Sequence, residues 1–485
     1  MSVDIQSLKP GRLWYYFSEI LKIPRPSKKE EKIAEYIINF GKQLGLETLK
    51  DEVGNVLIRK PATKGKEKVK SVVLQSHLDI VCEKNTETIF DFEKDPIEAY
   101  VDNGWIKAKG TTLGADDGIG VATQLAILEA NDIPHGPLEC LFTIDEESGM
   151  SGAFGLKKAF LKSNILINLD SEDEGELFIG CAGGRDTTAL LAYKNESVPQ
   201  NSIAFKVIVN GLKGGHSGDE INKGIGNANK ILNRLLWNAN NKFDLRINAF
   251  SGGNLRNAIA REAFANITIP EKNKKEFIKL IENLAIQIKE EYIITDHGLS
   301  IKMQEIDIPD FVIDKISHEK LLNAIYACPH GVISMSDKIP NFVETSTNFA
   351  AVKTLKGAFE FITNQRSSVE SAKDNACAMV ASVFRLAGAK VTHTGGYPGW
   401  TPNPNSEIVK ITKASYKRLF YNEAKVLAIH AGLECGLFKS VYPKMDMISF
   451  GPTIKGAHSP DERLDINTVT KFWDLTLDVL NQIPE

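Results

Sequence analysis

The stretch VVLQSHLD, residues 72–79, is an apolar, β-rich run that ends in a histidine and, two positions later, an aspartate. Alternation along a strand points His77 and Asp79 to the same side. Two more apolar runs have the same character. Leu138 to Ile144 stops at Asp145-Glu146-Glu147, and Ile165 to Leu169 stops at Asp170. Between them, Gly118 to Ala130 carries apolar residues at helical spacing, and Gly155 to Leu161 reads as a shorter helix. Strands alternating with helices make an α/β domain on a largely parallel or mixed sheet. Such sheets gather ligands at the carboxyl ends of their strands, where these acids and this histidine lie.

Beyond about Arg185 the pattern changes. The strand Ile203 to Val209 leads through GLKGGHSGDE (211–220) into a helix predicted over Ile221 to Trp237. The strand Phe359 to Thr363 leads through NQRSS (364–368) into another, Val369 to Leu386. The two strand-turn-helix units suggest a weak internal duplication, although they share no evident sequence identity. Glycine and proline cluster in HTGGYPGWTPNP (393–404), which reads as a hinge or crossing between domains. A helix (Ser406 to Phe420), a strand (Lys425 to His430) and a last helix (Ile466 to Leu480) then resume the α/β rhythm. The expectation is one domain made of residues 1–184 and 400–485, with residues 185–399 inserted as a second, α+β domain.

With 485 residues, 42% of them hydrophobic and 25% charged, the chain has the composition of a soluble globular protein of more than one domain. No run approaches the roughly 20 apolar residues that span a bilayer, and MSVDIQSLKPGRLWYYF lacks the basic start and apolar core of a secretory signal. The expected location is the cytoplasm, with no membrane partner. A net charge of −4 and the lack of a broad basic field argue against nucleic acid. The six cysteines are scattered and form no CxxC pair, so they read as small buried hydrophobes rather than a disulfide framework or a thiolate metal site.

Each acidic or histidine position has a plain structural alternative. His77 can be a structural histidine ending a strand, with Asp79 fixing its tautomer if it binds metal. Asp116 and Asp117, adjacent in GTTLGADDGIGVA (110–122), precede a helix, and Asp117 fits the role of helix cap. Capping does not use both, and one carboxylate of such a pair can lie between two cations. The acids after Ile144 can be a solvated loop, or one can bind metal while its neighbour acts as general base. His458, in GPTIKGAHSPDERL (451–464), sits in a polar loop before the last helix. A histidine or acid at each of several strand ends is what a two-cation site needs, because zinc accepts both imidazole nitrogen and carboxylate oxygen.

The set HLD, GADDG, DEESG, NLD and AHSPDERL, in this order and spacing, resembles the co-catalytic zinc metallopeptidases that include aminoacylases, carboxypeptidases and dipeptidases. GTTLGADDGIG, IDEESGMSGAFGL, HAGLECG and GPTIKGAHSPDERL are most similar to the aminoacylhistidine (Xaa-His, carnosinase-type) dipeptidase branch. The resemblance implies a zinc-peptidase catalytic domain with an inserted lid, and two divalent ions, most simply Zn, with Mn or Co as alternatives. It implies that His77 and Asp170 hold one metal, that Glu147 and His458 hold the other, and that Asp116 bridges both. Asp79 would orient His77, and Glu146 would take a proton from the metal-bridged water and pass it to the leaving amine. In the lid, His216 would contact the developing oxyanion, and Asn254 and Arg366 would bind the substrate's carboxylate or carbonyl. Taken singly, His216 is also a plausible turn residue and Arg366 a plausible surface ion pair. An aspartate at position 170 resembles the aminopeptidase and dipeptidase branches more than the carboxypeptidases.

The expected activity is hydrolysis of dipeptides, Xaa-His and other short unblocked peptides among them, by a monomer or homodimer. The alternatives are an aminoacylase or amidase acting on N-acyl amino acids, and a catalytically silent binding protein of the same fold.

Overall fold

A computed structural model describes residues 5–485. Two helices, α1 (Gly11–Ile20) and α2 (Glu31–Gln43), precede six strands of one sheet. These are β1 (Glu47–Lys50), β2 (Val56–Lys60), β3 (Val72–His77), β4 (Leu138–Thr143), β5 (Ile165–Asn168) and β6 (Glu176–Cys181). Helix α3 (Ala115–Glu129) joins β3 to β4, and the short α4 (Ser151–Gly155) follows β4.

The chain then enters a second unit with strands β7 (Gly183–Ala192), β8 (Ser202–Asn210), β9 (Arg246–Gly252), β10 (Ala263–Pro270), β11 (Ser300–Ile306), β12 (Val343–Leu355), β13 (Ala358–Ser367) and β14 (Lys390–Tyr397). Its helices are α5 (Ala228–Asn240), α6 (Lys274–Glu291), α7 (Lys315–Ala327) and α8 (Glu370–Leu386). The return is α9 (Glu407–Phe420), β15 (Lys425–Ile429), α10 (Glu434–Val441), β16 (Asp446–Ser449) and α11 (Ile466–Gln482).

Contacts divide the chain into residues 1–180, 400–428 and 433–485 in one compact unit, and residues 181–399 with 429–432 in the other. The first unit holds a mixed sheet in the order β1-β2-β4-β3-β5-β16-β6-β15. β3 pairs in parallel with both β4 and β5, and β16 in parallel with β5. Every residue of β3, β4 and β5 is buried. Covering both faces of a strand removes the polar alternation from its sequence, and the polar residues these strands do carry, Gln75 and Asn168 among them, are buried with the rest.

The second unit contains a sheet in the order β11-β8-β10-β9-β12-β13-β7-β14. It is two βαββαβ halves side by side. One is β8-α5-β9-β10-α6-β11, and the other is β7-α7-β12-β13-α8-β14. In each half the first strand lies between the fourth and the third, with the second at the inner edge. The first half is inserted after β7, the opening strand of the second. The strand-turn-helix units that suggested a duplication are therefore not equivalent: β8-α5 opens its half, whereas β13-α8 is the third strand and second helix of the other. The joint core is apolar and rich in phenylalanine, with Phe349, Phe361 and Phe384 in mutual ring contact.

Two sequence-based helix boundaries are corrected. The helix expected from Ile221 starts only at Ala228, because Gly224 takes a left-handed conformation (φ +69°) and Asn227 caps the helix, accepting from the amides of Asn229 and Lys230. The helix expected over residues 155–161 instead covers Ser151–Gly155, since Leu156 turns extended and buries its side chain. The glycine-rich stretch expected as a hinge or crossing does contain the passage from one unit to the other, at Gly399–Trp400, although its first five residues belong to β14. Among the described residues no helix is long and apolar enough to cross a membrane.

Asn227 is buried, and its amide also donates to the Phe349 carbonyl at 2.8 Å. Removing a cap and leaving that carbonyl unpaired gives an expected cost of about 2 kcal/mol for Asn227→Ala. Urea unfolding followed by circular dichroism checks this, and an unchanged midpoint would refute it.

Candidate metal centre

The functional side chains of the first unit sit where its central strands end. His77 closes β3, Glu146 and Glu147 follow β4, and Asp170 lies just past β5. Asp116 and Asp117 stand at the start of α3, where both depart from helical geometry, so regular helix begins after them. His458 lies in the loop before α11.

These positions converge on Asp116. Its Oδ1 is 3.0 Å from His77 Nε2, and its Oδ2 is 3.3 Å from His458 Nε2. On the His77 side, Asp170 Oδ1 approaches the same Nε2 at 3.3 Å. On the His458 side, Glu147 Oε2 lies 3.1 Å from the imidazole. The site thus has two donor triads that share one carboxylate: His77, Asp116 and Asp170, and Asp116, Glu147 and His458. Glu146 stands with His77 and Glu147 within 4.8 Å. Imidazole nitrogen and carboxylate oxygen without thiolate is a donor set suited to Zn, Mn or Co.

Asp117 has a separate task. Its Oδ1 accepts from the Gly120 amide at 3.1 Å, the expected helix-capping bond, and Oδ2 accepts from the His77 amide at 3.3 Å. Capping and cation approach, the two alternatives for this acidic pair, are thus divided between its members.

Asp79 is fully buried, with Oδ1 3.4 Å from His77 Nδ1. It also accepts from the amides of Glu146 (3.0 Å) and Glu147 (3.1 Å) and from Ser27 Oγ (2.8 Å). One carboxylate therefore fixes the imidazole and the acidic loop together. Burial alone would raise its pKa, but the His77 contacts, Ser27 and the Glu146 amide hold it below the usual range. Beneath the ligands runs a buried polar chain. Gln75 donates to Glu434 (2.6 Å), Asn168 to Gln75 (2.6 Å) and Ser449 to Asn168 (2.5 Å), and Ser449 shares a 2.6 Å bond with Ser171. It links β3, β5 and β16 two residues before His77 and Asp170.

Without cations the cluster distorts the titration of its members. Hydrogen bonds to Asp116 and then Glu147 raise His458 to about 11. Burial opposes a charged His77, yet Asp170, Asp116 and Asp79 still hold its pKa well above normal. Burial would raise Asp116, but its bonds to His458 and His77 keep it far below normal, whereas burial lifts Asp170 well above.

Asn254, His216 and Arg366 belong to the second unit. His216 lies in the short strand Gly215–His216, half-buried, with Nδ1 3.1 Å from Asp219 Oδ2. It lines a cleft of about 810 Å³ together with Asn254, Lys206, Lys213 and Arg261. Arg366 is not on that wall. It is not a surface ion pair either: it is 5% exposed and donates to Ser217 Oγ (3.3 Å), Asn364 Oδ1 (3.1 Å) and Tyr397 Oη (2.9 Å). Sequence reasoning passed over Ser27, Arg25, Glu434 and Glu462, all of which contact the strands or loops that carry these ligands. A lone serine or arginine carries no signal by itself. The two glutamates lay in stretches quoted for their likeness, HAGLECG and AHSPDERL, without a role.

Residues 73–482 match the model of peptidase family M20/M25/M40, and the chain belongs to that family. It is 46% identical over 482 residues to a cytosol non-specific dipeptidase of Escherichia coli (strain K12), covering 99% of both chains. The structure superposes on the crystal structure of an aminoacylhistidine dipeptidase from Vibrio alginolyticus with a TM-score of 0.95 and 44% identity, covering 100% of this chain and 99% of the other. A Bacillus cereus aminopeptidase, PepT, shares the fold at a TM-score of 0.57 and 16% identity, with 98% and 99% covered.

Because carboxylates hold both histidines protonated in the metal-free protein, a cation must displace those protons. Adding Zn to metal-depleted protein at pH 7 is expected to release protons into a weakly buffered indicator solution, and affinity should fall as pH falls. Uptake without proton release would contradict the geometry. By the same linkage, the His458 contribution to metal-free stability is full below about 6.5, its unfolded value, and is lost as pH rises towards about 11.

Proposed function

We propose that this chain is a metal-dependent dipeptidase that cleaves short unblocked peptides, Xaa-His dipeptides among them, at a site with two divalent ions, most simply Zn. The observation that carries the reading is the Asp116 carboxylate, each oxygen of which faces a different histidine flanked by its own acid. Near-full-length likeness to two dipeptidases supports dipeptides over N-acyl amino acids as substrates. Every residue the chemistry needs is present, which leaves a silent binding role without support. The designation of the Escherichia coli relative as cytosolic supports a cytoplasmic location.

His77 and Asp170 would hold one ion, Glu147 and His458 the other, with Asp116 shared. Divalent ions held by these residues would supply Lewis acidity, lowering the pKa of water towards about 7 and countering negative charge that develops on the scissile carbonyl oxygen. Asp79 holds His77 in orientation and, through two amide bonds, holds Glu146 beside it. Glu146 is the general base. Burial raises its carboxyl pKa well above normal, against the pull of His77 and with help from Glu434 and Glu147. Glu146 takes a proton from the attacking water and returns it to the leaving amine. His216, positioned by Asp219, is the donor to the developing oxyanion, and Asn254 and Arg366 bind the peptide's carboxylate or carbonyl. We read residues 185–399 as a lid carrying these three groups.

Hydrolysis of Ala-His, β-Ala-His, Gly-Leu, a tripeptide and N-acetyl-methionine by metal-depleted protein, with and without added Zn or Mn, tests the substrate class. Metal-restored cleavage of the dipeptides is expected, and cleavage of N-acetyl-methionine alone would reassign the enzyme as an aminoacylase. Glu146→Ala should retain both metals while turnover falls by at least about 100-fold, as loss of a general base requires. Metal loss on that change would overturn the role of Glu146. His216→Ala should also keep both metals but lose rate, and an unaltered rate would remove it from the mechanism.

A further inference from the structure

Two buried, oppositely charged side chains outside the donor set grip the loop that presents Asp116. Glu462 is 2% exposed, and each of its oxygens receives two backbone amides. Oε2 accepts from Leu113 (2.7 Å) and Gly114 (2.9 Å), and Oε1 from Ala115 (2.8 Å) and Asp116 (3.3 Å). Four donors facing one carboxyl match its four lone-pair positions, so its hydrogen-bonding capacity is spent on this loop. Arg25, 1% exposed, holds the opposite side of the same loop. Its Nη2 donates to the Gly114 carbonyl at 2.6 Å, and Nη1 donates to the carbonyls of Leu78 (2.9 Å) and Asp79 (3.1 Å). Gly114 lies between them with φ +70°, and a Cβ there would come within 2.8 Å of Arg25 Nη2.

The connectivity matters more than the bond count. Glu462 is four residues from His458 in a loop closed by its own amide on the Ser459 carbonyl at 3.0 Å. It therefore ties the Asp116 loop to the His458 loop, while Arg25 ties the Asp116 loop to the turn after His77. We propose that Glu462 is a positioning residue that holds the Asp116 loop against the His458 loop and so governs the second cation site, Asp116-Glu147-His458, more than the first, with Arg25 as its counterpart for the His77 side.

The inference rests on the reading of Asp116 as the shared ligand, and the test separates the two. Glu462→Gln keeps the size but turns an amino group towards backbone donors. Zinc titration of metal-depleted protein against a chromophoric chelator should then show one ion bound as in the wild type and the second weakened about 10–100-fold, the usual cost of losing an outer-shell partner. Activity should recover at raised Zn concentration, which a purely structural defect would not allow. Glu462→Asp, which retains charge but retracts it by one carbon, should show the same selective weakening. Wild-type affinity for both ions in either folded variant overturns the proposal, as does equal weakening of both ions or failure of both variants to fold. Asp116→Ala is the control. If it binds two ions normally, the shared-ligand reading fails; if it loses them while Glu462→Gln keeps both, only the positioning role fails.

Discussion

The structure depends on a concentration of negative charge gathered around one shared carboxylate, Asp116. Asp116, Glu146, Glu147 and Asp170 crowd around two imidazoles at the ends of buried strands. Burying carboxylates is costly, and without metal the cluster keeps its charge balance by protonating both histidines and raising some acids while depressing others. Holding Asp116 at the centre of that compromise requires a rigid frame. Asp79, the Gln75-Asn168-Ser449 chain and the Arg25-Glu462 pair form it, all from side chains that meet no solvent.

Much of this was legible in the sequence because parallel strands buried on both faces leave an unmistakable apolar run, and ligands gather in the few residues just past its carboxyl end. HLD, DEE and NLD were each readable as a strand end. The GADDG pair was readable as an acid at a helix start, although the division of labour between Asp116 and Asp117 emerges only in three dimensions. The frame was not legible. Arg25 and Glu462 are 437 positions apart in the chain and meet one loop from two sides, and no local pattern records such a meeting. Ser27 is a single hydroxyl in a charged segment.

The second unit shows a different limit. Its two βαββαβ halves leave a hint of duplication in the sequence, but the strand-turn-helix units that carry the hint occupy unlike places in their halves. The first half is inserted after the opening strand of the second, so sequence order hides the repeat. The sequence pattern starts helix α5 seven residues too early because Ile221 and Ile225 continue its apolar spacing, while the backbone turn at Gly224 and the Asn227 cap decide where the helix starts. Residues 429–432 pack with this unit although both flanking segments belong to the first, a long-range choice that strand and helix patterns do not express.

The central claim is that one carboxylate is shared by two cation sites, and anomalous diffraction from crystals of the Zn-loaded protein tests it directly. The account predicts two peaks roughly 3.5–4 Å apart, one beside His77 and Asp170 and one beside Glu147 and His458, with Asp116 between them. A single peak, or two that do not both contact Asp116, would contradict it.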